Sequence, residues 1–132
     1  MSTKHLMVAS SIVMGALGVT FSFLPQEVLT YVGVSSQGMA PLFLQVAGGL
    51  YVAFAMINWM TRASVIGGIY NRPLAMGNFI HFFMGALALI KGFRAVPASV
   101  VVITATVVYS IFAIWFGIVL FTHPSSNNGV KN

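Results

Sequence analysis

Apolar and polar positions fall into long blocks along this 132-residue chain. Four apolar runs, at about residues 6–24, 41–60, 73–92 and 97–121, are separated by short segments that hold nearly all of the charge. Each run reaches the roughly 20 residues a helix needs to cross the hydrocarbon core of a bilayer. Backbone polar groups must be satisfied internally there, so each run is predicted to be helical. Pro25 ends the first run. The segment from Pro25 to Gly33 then carries Pro and Glu at its start and Gly at its end, the signals of a short helix. Val28, Leu29 and Val32 share one of its faces, which predicts a helix lying in the membrane interface, with an irregular apolar loop as the alternative. Ser35 to Gly38 reads as a turn, and Pro41, Pro73 and Pro97 open the remaining runs, where a first-turn proline is tolerated. The polar tail, residues 123–132, reads as disordered.

The short connections between runs imply an all-α, integral membrane, up-down-up-down four-helix bundle with a short interfacial helix after the first span. Residues 1–132 form a single transmembrane domain in this reading. The charged start, Met1 to His5, resembles that of a signal peptide. The apolar run behind it is long for such a segment and no small-x-small cleavage pattern follows, so it is read as a retained span. Lys4, Arg62, Arg72 and Lys131 fall on one side of the membrane, while Lys91 and Arg94, partly offset by Glu27, fall on the other. The excess of basic residues places both termini in the cytoplasm.

Composition narrows the chemistry. Apolar residues make up 58% of the chain and charged residues 5%, against about a quarter charged in a soluble domain. There is no cysteine, which excludes disulfides, thiolate nucleophiles and cysteine-ligated metals. Glu27 is the sole carboxylate side chain, so paired-carboxylate catalysis and a Ser-His-Asp triad are excluded as well. The net charge of +5 comes from six scattered basic residues. They form no nucleic-acid patch and suit attraction to anionic lipid headgroups instead.

Helical spacing gives each run one stripe of small or polar residues. The first carries Ser11, Gly15, Gly18 and Ser22, and the second Gly48, Tyr51, Ala55, Asn58 and then Arg62. The third carries Asn78, His81, Gly85 and Ala88, and the fourth Thr106, Ser110, Ala113 and Gly117. Helices in lipid associate by packing, and small residues let backbones approach closely. Ser11, Gly15, Gly18, Gly48, Gly85, Ser110 and Gly117 are therefore the expected packing positions, with Phe, Ile, Leu, Val and Met turned toward acyl chains. The tetrad Met14-Gly-Ala-Leu17 recurs as Met84-Gly-Ala-Leu87, which is compatible with a two-plus-two duplication or with chance.

The polar members of the second and third stripes suggest a site. Adjacent antiparallel spans bring the end of one beside the start of the next. Asn58 would then sit about one turn inside the edge above Arg62, and His81 about 12 Å deep. Asn58, Arg62, Arg72, Asn78 and His81 could form one pocket open toward the cytoplasm, because intramembrane ionisable residues are functional suspects by default. The alternative is that the asparagines and His81 join helices through hydrogen bonds, each contributing about 0.6–2 kcal/mol. Gly67-Gly68 could form an anion-binding nest or a plain turn. No metal or other cofactor is expected, since His5 and His123 lie at the span ends, away from His81.

Asn58-Trp-Met60, Gly67-Gly-Ile-Tyr-Asn-Arg-Pro73 and Gly77-Asn-Phe-Ile-His81 resemble segments of small bacterial four-span membrane proteins. The resemblance covers about a third of the chain and implies a bacterial inner-membrane location, with no activity to carry over. Three functional classes follow. The first is a non-enzymatic protein acting through helix association, with itself or as an accessory subunit of a membrane complex. The second is a carrier, channel or lipid- or anion-binding protein using the polar pocket. The third is a lipid-modifying enzyme with His81 as general base, the least supported because no carboxylate orients the histidine. Membrane lipids and a homo-oligomer or larger membrane complex are the expected partners.

Overall fold

A computed structural model describes residues 3–64, 71–93 and 99–122. Its elements are all helical: α1 (Thr3–Phe23), α2 (Pro25–Tyr31), α3 (Ala40–Met60), α4 (Arg72–Gly92) and α5 (Val100–Phe121). The four long helices, of 21 or 22 residues each, are apolar enough to cross a membrane. At 1.5 Å per residue they measure about 32 Å, which matches the hydrocarbon core. The chain is a four-span membrane protein of the all-α class with a short helix after the first span.

The helix ends follow local chemistry. Pro41 and Pro73 lie in the first turns of α3 and α4, where the missing N–H leaves no intrahelical bond unmade. The fourth long helix departs from the expected proline start. It opens at Val100, because the extended Ser99 caps it, its hydroxyl accepting from the Val102 N–H at 3.3 Å. Pro97 lies outside the described residues, as do Gly67-Gly68, Arg94, His123 and the rest of the tail.

Helix α2 ends sooner than the Pro25–Gly33 segment implied. Val34 N–H donates to Leu29 O at 2.8 Å and Gly33 N–H to Thr30 O at 3.1 Å. This is the paired bonding of a Schellman motif, closed by Gly33 at φ +75°. Its left-handed backbone suits a residue without a Cβ. Val32 is thereby left at the C-cap and exposed, so the inward face of α2 is Pro25 and Leu29 rather than Val28, Leu29 and Val32.

The chain divides into two compact units, Met1–Ser64 and Val65–Asn132. In the first, α1 and α3 form an antiparallel pair, and α2 touches both. The direction follows from the partners: Ser10 meets Asn58, Ser11 meets Ala55, Gly18 meets Val52 and Gly48, and Ser22 meets Gly48. The approach is limited by main chain. A Cβ on Gly18 would lie 2.7 Å from Val52 N and 2.9 Å from Gly48 O. One on Gly48 would lie 2.7 Å from Ser22 N and 2.9 Å from Gly18 O. Hydrogen bonds cross the same seam, with Ser11 Oγ donating to Ala55 O at 2.8 Å and Asn58 Nδ2 to Ser10 Oγ at 3.0 Å. At the far end Gln45 Nε2 reaches Ser22 O at 3.4 Å, a long contact.

In the second unit α4 and α5 form another antiparallel pair, on a different plan. Phe82 is fully buried and stacks on Phe112 (4.8 Å between centroids) and Phe116 (5.8 Å), with Tyr109 edge-on at 5.3 Å. Phe79 meets the edge of Phe121 at 5.9 Å. Small residues still matter, as holes for rings: a Cβ on Gly85 would overlap the Tyr109 ring, and one on Gly117 would come within 3.2 Å of Phe79. The expectation that phenylalanine faces lipid is therefore wrong for Phe82, Phe112 and Phe116 of this pair. Tyr109, Phe112 and Phe116 are buried, while Ala88 of the expected stripe is exposed and Ser110 only half-buried. Helices in lipid gain by close atomic contact, and a ring seated over a glycine supplies more of it than two small side chains do.

Other hydroxyls inside the spans are satisfied within their own helix. Thr20 donates to Ala16 O, Thr106 to Val102 O and Ser10 to Met7 O, which removes the penalty of a free donor in hydrocarbon. The outward faces carry residues such as Ile12, Leu50, Ile103, Ile111 and Ile114, all exposed.

Candidate functional site

The five polar residues singled out above are distributed over both units. Asn58 and Arg62 belong to the first, and Arg72, Asn78 and His81 to the second. Asn58 lies in the last turn of α3 and is fully buried. Its amide donates to Ser10 Oγ at 3.0 Å and lies 3.8 Å from Met14 Sδ. Ser10 in turn donates to Met7 O, so a short relay links α3 to the backbone of α1.

Arg62 follows α3 and folds back on it. Its Nη1 donates to Trp59 O at 2.6 Å, and its guanidinium carbon lies 4.3 Å from the centroid of the Trp59 ring. This combines a capped helix C-terminus with a cation–π contact at the membrane edge. Arg72 is the first residue of α4 and is exposed. Asn78 is fully buried, and its amide donates to Leu74 O at 3.0 Å, one turn back. His81 is half-buried among aromatic rings, 5.1 Å from Phe82 and 5.7 Å from Tyr109 between centroids. Among the described residues no group of three or more His, Cys, Asp or Glu side chains is placed to hold a metal.

A second polar feature lies at the α2 end of the first unit. An open groove of about 510 Å³ is lined by Gln26, Glu27, Thr30, Tyr31 and Ser36. In the sequence Glu27 stands out as the lone carboxylate, a helix-start signal and a partial offset to Lys91 and Arg94, but not as part of a groove. The available signal was the four-residue spacing of Glu27 with Tyr31 and of Gln26 with Thr30, which puts each pair on neighbouring turns of one short helix.

No family model, curated protein or solved structure matches the chain. The resemblance in the second and third spans therefore carries no family assignment, and function must be argued from the residues alone.

Proposed function

We propose that this protein acts by association of its membrane helices, with a second copy or as an accessory subunit of a membrane complex, and performs no catalysis. One observation carries the reading. Gly49 and Ala53 lie on an exposed face of α3, turned away from the Gly48–Ala55 seam, and a Cβ on Gly49 would meet nothing within 4 Å. Leu42, Val46, Met56 and Met60 continue that face and are exposed as well. Two small residues four apart on a lipid-facing surface allow another helix to approach closely. The same chemistry already operates on the neighbouring face of this helix, at Gly48. The single carboxylate and the lack of cysteine support the non-enzymatic part of the reading.

The polar residues fit structural roles within this proposal. The Asn58 amide joins α3 to α1 and the Arg62 guanidinium is engaged by Trp59 of the helix it follows, which favours structural roles over a ligand pocket. The basic residues beside the first, second and third spans, and the resemblance of the middle segments to small bacterial membrane proteins, support an inner-membrane location with cytoplasmic termini.

The native chain has no cysteine, so a single introduced thiol is a clean reporter. Ala53→Cys in membranes is expected to give an oxidised dimer or a defined conjugate that Gly49→Leu abolishes. A purely monomeric product from both chains at physiological expression would defeat the proposal.

A further inference from the structure

The α2 groove differs from the rest of this basic, apolar surface, since it concentrates acceptors around the chain's one carboxylate. Glu27 is exposed in the first turn of α2, and among the described residues no cationic side chain is paired with it. Thr30 donates its hydroxyl proton to Gln26 O at 2.8 Å. Its oxygen is therefore left with acceptor capacity. Gln26 and Ser36, whose side chains also carry an acceptor oxygen, line the groove with them. Tyr31, one turn from Glu27, is 80% exposed and presents a ring of the kind that attracts cations.

A carboxylate on the first turn of a helix also offsets the helix dipole. That role does not account for the other four lining residues. Together the five favour a hydrogen-bond-donating cation and disfavour an anion.

Location adds a second constraint. Helix α2 joins the end of α1 to the approach to α3, at one end of an antiparallel membrane-spanning pair. That end is also where Phe23, Leu24, Val32, Val34 and Met39 are exposed. Such apolar side chains beside a polar groove describe the boundary between headgroups and acyl chains.

We propose that the groove lined by Gln26, Glu27, Thr30, Tyr31 and Ser36 binds a primary ammonium group, carried by a phospholipid headgroup or by a free amine. The ammonium donates to the Glu27 carboxylate and to the neighbouring oxygens, with the Tyr31 ring against its remaining face. The exposed apolar rim suits a ligand that brings acyl chains with it. Phosphatidylcholine, whose nitrogen has no N–H, loses the hydrogen bonds, and phosphatidylglycerol has no cation to offer.

The test is native mass spectrometry of the full chain released from nanodiscs containing equal amounts of phosphatidylethanolamine, phosphatidylcholine and phosphatidylglycerol. The wild-type chain is expected to retain phosphatidylethanolamine preferentially, and Glu27→Gln to reduce that occupancy about tenfold. Tyr31→Leu should reduce it about threefold while Tyr31→Phe preserves it. A merely structural role for Glu27 would change helix content without changing the ratio among the three lipids. Tyr31 is exposed, so its variants test the site even if Glu27→Gln folds poorly. Displacement of the bound lipid by millimolar ethanolamine would assign the site to a free amine, and retention would assign it to the lipid. An unchanged lipid ratio in both Glu27→Gln and Tyr31→Leu overturns the proposal.

Discussion

The two helix pairs solve one problem in opposite ways. Between α1 and α3 the backbones themselves meet, at Gly18 and Gly48, and hydrogen bonds from Ser11 and Asn58 cross the seam. Between α4 and α5 the contact is made by rings, with Phe82 seated among Tyr109, Phe112 and Phe116. Lipid tails are as apolar as a leucine side chain, so neither pair is held by exclusion from water. Close atomic contact has to come from somewhere. A short backbone distance supplies it in the first pair, and large flat side chains supply it in the second.

The sharpest way to break that contrast is Gly18→Leu. The obstructing atoms are Val52 N and Gly48 O, which belong to main chain and cannot rotate away. We expect a loss of about 3 kcal/mol, at the upper end for overpacking, read by reversible unfolding in mixed micelles. Trimming Val52 to Ala should not restore it. In the second pair Phe82→Ala should cost about 2 kcal/mol in the same titration. That is less than the roughly 3–5 kcal/mol typical of water-soluble cores, because the transfer from water is missing and only packing is lost.

Gly85→Ala is expected to cost between about 1 and 2 kcal/mol, since its Cβ runs into the Tyr109 ring. Here a partner can give way. Tyr109→Leu in the same chain should recover most of the loss, and a double-mutant cycle with additive losses would show that the ring is not the obstacle. The smallest effect, about 1 kcal/mol, is expected for Asn58→Leu, which removes the bond to Ser10 but leaves Ser10 its own bond to Met7 O. Amide exchange of α1 should rise in that variant.

Much of this was legible in advance. The four spans follow from length and hydropathy alone, and the turn of α2 from Pro25 and Gly33. The first pair lies along a stripe of small residues, because glycine at helical spacing leaves a groove wherever it faces. The second pair was not readable in that manner. A hydrophobic ring in a membrane helix satisfies lipid and protein equally, so nothing in the pattern distinguishes Phe112, which is buried, from Phe83, which is exposed. The polar residues presented a similar ambiguity. Spacing selects Asn58, Asn78 and His81, but only the fold joins Asn58 to Ser10 of the first helix and sets His81 among rings. The α2 groove is not legible in the pattern, because its residues are ordinary singly and gain meaning only from the turn that gathers them with Ser36.

The difference between a main-chain obstacle and a side-chain obstacle has an evolutionary consequence. Positions 85 and 109 share a volume that can be redistributed, so descendants of this sequence can enlarge one while shrinking the other and pass through intermediates that still fold. Gly18 and Gly48 have no such currency, because the atoms opposite them are present in every amino acid. Drift should therefore erase the aromatic pairing of α4 and α5 long before it touches those two glycines. The oldest recognisable trace of this fold in distant sequences would then be a spacing between two glycines in the first and second spans.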